Sequence, residues 1–283
     1  MRSFAEFVMR GRMQAVWVCL LTGALPVFNV VPAAVVALVM LRRGAVEGTM
    51  LLGLSALPLA GWVYAYEDTG PILVLFGTGI AAAILRATMS WELTLAWAAI
   101  AGGISSLVFQ FAVPDAVTEL VSSYKEVVQM MHREITDNEA RQALLGFYGV
   151  GQAYTIVLLT VLARWWQSML YNPGGFQQEF HRLRLSPALS SVLVLGIAAI
   201  VLMSNPAFSR WLLLLTVPLV VSGIALLHWV VKQRELSRSW LVTFYLLFFL
   251  MMQFMYPIMT SVGLLDSWMN VRARLERKSD DEE

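Results

Sequence analysis

Long apolar runs, separated by short arginine clusters, constrain this chain more than any other feature of its sequence. Of its 283 residues, 58% are hydrophobic and 14% are charged, whereas soluble domains are about 45–50% apolar and about 25% charged. An α-helix needs roughly 20 apolar residues to cross a hydrocarbon core about 30 Å thick. The sequence therefore predicts an all-α, polytopic transmembrane helix bundle that contacts the lipid bilayer.

Several apolar runs are bounded by charge, Pro or Gly and are read directly as spans. They are Val46 to Tyr66, Pro71 to Leu85, Trp91 to Val113, Gly146 to Leu162, Pro187 to Met203 and Trp211 to Val231. The first run, Met13 to Leu41, is broken by Pro26 and Pro32, and the last, Trp240 to Leu265, is broken by Pro257. Each broken run is either one tilted helix or a hairpin of two short ones. The prediction is about eight to ten hydrophobic segments in one membrane domain, residues 1–283.

Loop arginines orient these segments, because Lys and Arg in short loops stay on the cytoplasmic side of the membrane. A hairpin that turns near Phe28 to Val30 places the N-terminus, Arg42-Arg43 and the later basic clusters on one side, whereas a single crossing would split them. A second turn near Tyr256-Pro257 returns the charged tail, residues 271–283, to that side. We expect both termini to be cytoplasmic.

Residues 115–142 are too charged for lipid. Their apolar positions, from Val117 to Ile135, recur at intervals of three and four residues, which predicts an amphipathic helix. Thr136 and Glu139 then form a capping box that starts the next helix. The number of predicted crossings between this segment and the basic loops makes the segment extracytoplasmic. There it lies on the bilayer or over helix ends, or it forms a lid over a pocket.

No catalytic group or metal site emerges from the sequence. The three histidines, His132, His181 and His228, fall in different predicted compartments, and Cys19 is the only cysteine. No phosphate-binding glycine loop occurs, and no paired carboxylates lie within a predicted span. We expect a non-enzyme without cofactor or metal. A net charge of +1 predicts no nucleic-acid partner.

Polar residues within membrane helices are costly and tend to face a cavity or the bundle interior. Asn29, Gln110, Gln152 and Tyr154 lie toward the predicted outer half and are candidates to line an outward-facing pocket for a small molecule. The alternative for each is an interhelical hydrogen bond.

A loop predicted to be cytoplasmic, residues 171–186, contains the turn Asn172-Pro173-Gly174-Gly175 and then a short amphipathic segment. Phe176 and Phe180 share its apolar face, and Arg182 and Arg184 follow. Such a helix either lies on the inner leaflet with its arginines near lipid phosphates or docks a cytoplasmic partner.

Three stretches of sequence resemble the YybS-like family of bacterial integral membrane proteins. They are Gly174-Gly175-Phe176 with Glu179-Phe180 and Leu183-Arg184-Leu185; Leu41-Arg42-Arg43-Gly44 with Glu47-Gly48; and Gly263-Leu264-Leu265-Asp266-Ser267-Trp268 with Asn270 and Arg272. The resemblance implies the bacterial inner membrane and a remote fold relation to the S components of energy-coupling-factor transporters. It also implies that Ala33 and Ala37 face a coupling subunit. The chain is longer than an S component and carries the extra segment 115–142.

Two functions follow from these observations. The first is small-molecule binding, related to transport and S-component-like, through Asn29, Gln110, Gln152 and Tyr154. The second is a non-transport scaffold that recruits a membrane or cytoplasmic protein through its cytoplasmic loops. The residues expected to contact a partner or lipid are Phe176, Phe180, Arg182, Arg184, Asp266 and Arg272. A transporter needs its polar residues to converge on one cavity, whereas a scaffold needs its two cytoplasmic motifs to converge on one surface.

Overall fold

The computed structural model of the chain describes residues 1–280, and side chains only as far as Leu275. Within those residues the chain forms helices and no strand; the last part of the predicted tail, residues 281–283, lies outside them. The helices are α1 (Arg2–Arg10), α2 (Arg12–Ala24), α3 (Val31–Arg43), α4 (Ala45–Tyr66), α5 (Gly70–Thr88), α6 (Trp91–Ala112), α7 (Pro114–Met130), α8 (Asp137–Tyr171), α9 (Gly175–Arg182), α10 (Pro187–Met203), α11 (Ser209–Gln233), α12 (Ser239–Leu250), α13 (Met252–Met269) and α14 (Val271–Asp280). Short 3₁₀ turns at Pro26–Phe28 and Pro206–Phe208 precede α3 and α11.

Helices long and apolar enough to cross a bilayer make this a multi-pass membrane protein. Among the described residues, six helices qualify singly, and two bent pairs, α9 with α10 and α12 with α13, raise the number to eight if each pair is one span. The expected all-α polytopic bundle with broken first and last segments is confirmed. The described chain divides into two compact units: residues 1–176 with 203–214, and residues 177–202 with the chain from Leu215 onward. The single membrane domain stays a prediction.

The first unit begins with the expected hairpin. The chain breaks at Pro26–Phe28, and the start of α2 returns to the end of α3. There the Glu47 carboxylate pairs with Arg12 at 2.8 Å and with Arg43 at 3.2 Å, while Arg43 also donates to the Met9 carbonyl at 2.8 Å. Glu47 therefore joins three helix ends.

Other basic side chains collect at the same end of the first unit. Arg86 and Gln167 both donate to the Leu41 carbonyl, and the Arg42 guanidinium lies 4.0 Å from the Tyr171 ring centroid. Arg164 donates to Gln167. Cations at helix C-termini satisfy free carbonyls. These residues therefore stabilise the helix ends in addition to the orienting effect expected of basic loops.

The centre of the first unit is α3, in which every residue from Pro32 to Leu41 is buried. It packs against α4, α5 and α8. Next to it, α6 and α8 cross closely: a Cβ on Gly102 would overlap the Gly149 carbonyl oxygen. Small residues at such crossings let two membrane helices approach.

The predicted amphipathic helix exists as α7, but it is shorter than expected. Its buried positions Val117 and Val121 pack with Phe109 of α6 and Leu145 of α8. The helix ends at Met130, and His132 adopts the left-handed region at φ 57°, so the extension to Ile135 was wrong. The predicted capping box of Thr136 and Glu139 is confirmed. It starts α8 in a new direction, so a turn is needed after α7. The lid role stays a prediction.

In the second unit the last apolar run is broken as expected, but not at Pro257. The break is at Met251, where α12 and α13 meet at a bend of 120°. Pro257 lies inside α13, as Pro58 lies inside α4, because membrane helices tolerate proline where neighbouring helices compensate. Leu250-Met251-Met252 contains no turn residue, so no local signal marks the break in the sequence.

The closest helix crossing of the second unit joins α11 and α13. A Cβ on Gly263 would overlap the Leu219 carbonyl oxygen, and one on Gly223 would overlap the Met259 carbonyl oxygen. Each glycine faces the backbone of the other helix, which cannot move aside as a side chain can. The pair therefore fixes α13 against α11.

Replacing Gly263 with Ala should destabilise the protein by about 1–3 kcal/mol, because the added methyl group forces the two backbones apart. Thermal unfolding in detergent would measure the loss. Gly151→Ala is the matched control, since open space surrounds its Cβ position. Equal melting temperatures for the two variants would contradict the close crossing.

Candidate functional site

The two motifs singled out as cytoplasmic contacts meet in the second unit. The Arg272 guanidinium donates to the carbonyl of His181 and, at 2.6 Å, to the carbonyl of Leu183. The chain reaches this position because α13 ends at Asn270, which adopts the left-handed conformation at φ 48°. Asn tolerates that conformation better than most residues, and the turn directs Arg272 back along α13.

A buried ion pair holds Arg272 in place. Asp266 is fully buried and Arg272 is 8% exposed, and Arg272 Nε lies 3.2 Å from Asp266 Oδ2. Ser267, also fully buried, donates to the Leu185 carbonyl at 3.0 Å and approaches Ser190 Oγ at 2.7 Å. The segment that follows α9 is therefore bonded on both sides to the end of α13.

Beside this junction is a cavity of about 430 Å³, here called the basic cavity. Of the described side chains that line it, four are cationic and none is a carboxylate. Its lining residues are Gln178, His181, Arg182, Arg184, Trp229, Lys232, Gln233, Asn270 and Arg272. Arg182 and Lys232 are exposed, and Arg184 is half-buried. Such a concentration of positive charge favours an anion.

A second cavity of about 810 Å³, here called the mixed cavity, shares His181 and Lys232 with the first. Its apolar lining comes from Val231, Leu236, Leu241 and Val242, and the charged residues Glu235 and Arg238 also line it. Its inner wall carries the contact between His228 Nε2 and the Tyr245 hydroxyl, 2.8 Å apart. The Phe180 ring packs edge-on against His228 with the centroids 5.3 Å apart.

The structure places the predicted inner residues in different roles. Arg182 and Arg184 line the basic cavity, and Phe180 packs on α11. Asp266 is fully buried and pairs with Arg272, which lines the cavity. Phe176, in the first unit, is half-buried and packs edge-on against Trp91 with the centroids 6.1 Å apart. Lys232 and Trp229 were missed because a lysine and a tryptophan at the end of a span are ordinary interfacial residues.

Gln110 belongs to a charged cluster in the first unit that the sequence did not indicate. Arg210, only 7% exposed, donates to Gln110 Oε1 at 2.7 Å and to Gln142 Oε1 at 2.5 Å. Gln142 in turn donates to Asn138 Oδ1 at 3.3 Å. Gln110 thus ties α6 and α8 to the start of α11, which is the interhelical alternative considered for it.

Gln152 lies in another place, at the loop that joins α4 to α5. A Cβ on Gly70 would lie 3.1 Å from Gln152 Nε2 and 3.6 Å from the Tyr148 hydroxyl. Gln152 Oε1 is buried and has no hydrogen-bond partner among the described residues. Ten residues of α8, or about 15 Å of rise, separate Gln152 from Gln142 beside Arg210.

The remaining outer candidates, Asn29 and Tyr154, are both half-buried. Asn29 follows the 3₁₀ turn before α3. Tyr154 is two positions after Gln152 and therefore about 200° around the helix from it. The role of Asn29, Gln110, Gln152 and Tyr154 in binding a small molecule stays a prediction.

The comparisons with known proteins add no relative to this description. No family model, no curated protein and no solved structure matches the chain.

Replacing Asp266 with Asn should destabilise the protein by about 3 kcal/mol, because Arg272 would be left as a buried cation without its counter-charge. The melting temperature in detergent would show the loss. Glu6→Gln, which breaks the exposed pair with Arg2, is the control and should melt like the wild type. A wild-type melting temperature for Asp266→Asn would show that the ion pair does not stabilise the junction.

Proposed function

We propose that this protein is a non-enzymatic scaffold of the bacterial inner membrane that binds an anionic partner on its cytoplasmic face. The binding surface is the basic cavity, with Arg182, Arg184 and Lys232 as its cationic contacts. Asp266 and Arg272 are positioning residues, since they hold the α9 segment against the end of α13. The N-terminus and the charged tail lie on the same, cytoplasmic side.

The observation that carries this proposal is the convergence of two motifs that are far apart in the sequence. Arg272 bonds to the carbonyl of His181, 91 positions earlier. Side chains from both motifs then line one cavity, and no carboxylate up to Leu275 lines it. A basic loop that served only to orient the chain would have no need of a partner motif from the other end of the sequence.

The cytoplasmic assignment rests on the distribution of arginines. Short loops rich in Arg and Lys stay in the cytoplasm, and the basic cavity is built from such loops. In the first unit, Arg12, Arg43 and Arg86 lie at one end of the helices. This is expected if all three lie on the same side of the membrane. The resemblance to the YybS-like family points to the same membrane and stays a proposal.

A photo-crosslinking amino acid at Gln178, an exposed residue of the basic cavity, should capture the partner in living cells. Arg182→Glu combined with Arg184→Glu should reduce the adduct roughly tenfold or more, because each cation near an anionic ligand contributes about 1 kcal/mol. Mass spectrometry of the adduct measures both its amount and its chemical class.

Two controls make this experiment decisive. The crosslinker at exposed Gln129 of α7 should give none of the Gln178 adduct, since that residue is extracytoplasmic in the proposed orientation. Arg2→Glu with Arg10→Glu removes the same charge elsewhere and should leave the adduct unchanged. An adduct that survives the Arg182 and Arg184 replacements would refute an anion-binding surface.

Small-molecule capture within the membrane is a second candidate, and Gln152 favours it. A buried acceptor without a partner costs about 1–3 kcal/mol, and a hydrogen-bond donor on a bound molecule would recover that cost. In the S-component-like form of this proposal, the molecule enters from the outer side near Gly70 and Tyr148.

Replacing Gln152 with Leu should remove a metabolite that co-purifies with the wild type, because the acceptor that holds it is gone. Native mass spectrometry of the gently solubilised protein would detect the loss, with Gln129→Leu as the exposed control. Identical bound masses for wild type and Gln152→Leu would leave small-molecule capture without support at this position.

A further inference from the structure

The basic and mixed cavities adjoin and differ in chemistry. They share His181 and Lys232. Arg182 and Arg184 line the basic cavity only, whereas Val231, Leu241 and Val242 line the mixed cavity only, together with Glu235 and Arg238. A ligand with an anionic group at one end and apolar bulk at the other matches the cations of the first cavity and the apolar residues of the second.

The positive charge of the basic cavity is available to a ligand. Asp266, the carboxylate paired with Arg272 at 3.2 Å, is fully buried, and Glu235 lines the mixed cavity and not the basic one. Arg182 and Lys232 are exposed, so their cationic groups reach solvent at the cavity. Arg forks match the oxygens of a phosphate group, and Lys adds a point charge. The preferred anion is therefore a phosphate group.

The apolar side continues into a surface suited to hydrocarbon chains. Leu241 and Val242 begin the face of α12 that carries exposed Leu246 and Phe249. Helices α12 and α13 together are long and apolar enough for a membrane segment, and this exposed apolar face is suited to contact lipid. Acyl chains that leave the mixed cavity past Leu241 and Val242 would continue along this apolar face of α12.

We propose that the two cavities together bind one anionic phospholipid, with its phosphate at Arg182, Arg184 and Lys232 and its acyl chains against Leu241, Val242 and Tyr245. This inference rests on the proposed function and names the anionic partner of that site. Basic pockets beside membrane helices on the cytoplasmic side are suited to anionic headgroups. A water-soluble phosphate compound shares the headgroup chemistry but leaves the apolar side unfilled.

Native mass spectrometry of the purified full-length protein tests the inference with three probes. Dioleoyl-phosphatidylglycerol has the anionic phosphate and the chains, dioleoyl-phosphatidylcholine has the chains without net charge, and glycerol 1-phosphate has the anion alone. We expect the phosphatidylglycerol adduct to exceed the phosphatidylcholine adduct roughly tenfold. Glycerol 1-phosphate at the same concentration should not displace it.

Variants assign the binding to this site. Arg182→Gln with Arg184→Gln should reduce the phosphatidylglycerol adduct roughly tenfold, and Leu241→Asn should weaken it without changing the charge. Arg2→Gln with Arg10→Gln removes the same number of charges and should have no effect. Melting temperatures equal to that of the wild type establish that each variant is folded, and Lys232→Gln serves if the double variant is not.

The outcomes separate the two proposals. Equal adducts for the two lipids, or an unchanged adduct in the Arg182 and Arg184 variant, overturn the lipid site. Displacement by glycerol 1-phosphate overturns the lipid site in favour of a free phosphate ligand. A protein adduct at Gln178 overturns the lipid site in favour of a protein partner. Neither result contradicts the anion-binding scaffold. If the crosslinker at Gln178 captures no anionic molecule of any kind, the scaffold proposal is overturned as well.

Discussion

The ion pair between Asp266 and Arg272 is the interaction on which the second unit depends. Two charges removed from water cost several kcal/mol each unless their remaining hydrogen-bonding groups are satisfied. Here Arg272 also donates to the carbonyls of His181 and Leu183. The first of these carbonyls lies in the last turn of α9 and the second directly after it, where carbonyls lack intrahelical partners. One buried guanidinium thus neutralises a carboxylate and closes a helix end, and it does so across most of the length of the unit's sequence.

Everything proposed for the site follows from that closure. Because the segment after α9 is held against α13, Arg182 and Arg184 lie beside Lys232 at the end of α11. The close crossing at Gly223 and Gly263 fixes α13 against α11, so α11, which carries Lys232, cannot separate from α13 without breaking backbone packing. The α11–α13 crossing and the ion pair are thus two supports for one surface. A site with cations from several elements needs such supports, since like charges repel at close range.

The helical architecture could be predicted because bilayer thickness and loop charge act on whole segments, and α4, α6 and α10 begin or end within one or two residues of the predicted spans. Single contacts could not be predicted. Pro257 marked a break that the structure places at Met251, because proline is only one cause of a bend and tertiary packing decides among them. The burial of Arg210 with Gln110 and Gln142 depends on three distant helices. The pairing of Asp266 with Arg272 could have been predicted from the sequence, because Asn270 between them permits a left-handed turn.

The most direct test of the account is whether the two motifs share one surface in the membrane. With Cys19 replaced by Ala, cysteines at Gln178 and Asn270, both exposed residues of the basic cavity, would be treated with a bifunctional thiol reagent in native membranes. The account predicts efficient crosslinking of this pair and none between Gln178 and Met252, which lies about 27 Å from Asn270 along α13. Crosslinking of neither pair, with both cysteines reactive, would contradict the convergence of the motifs and the function drawn from it.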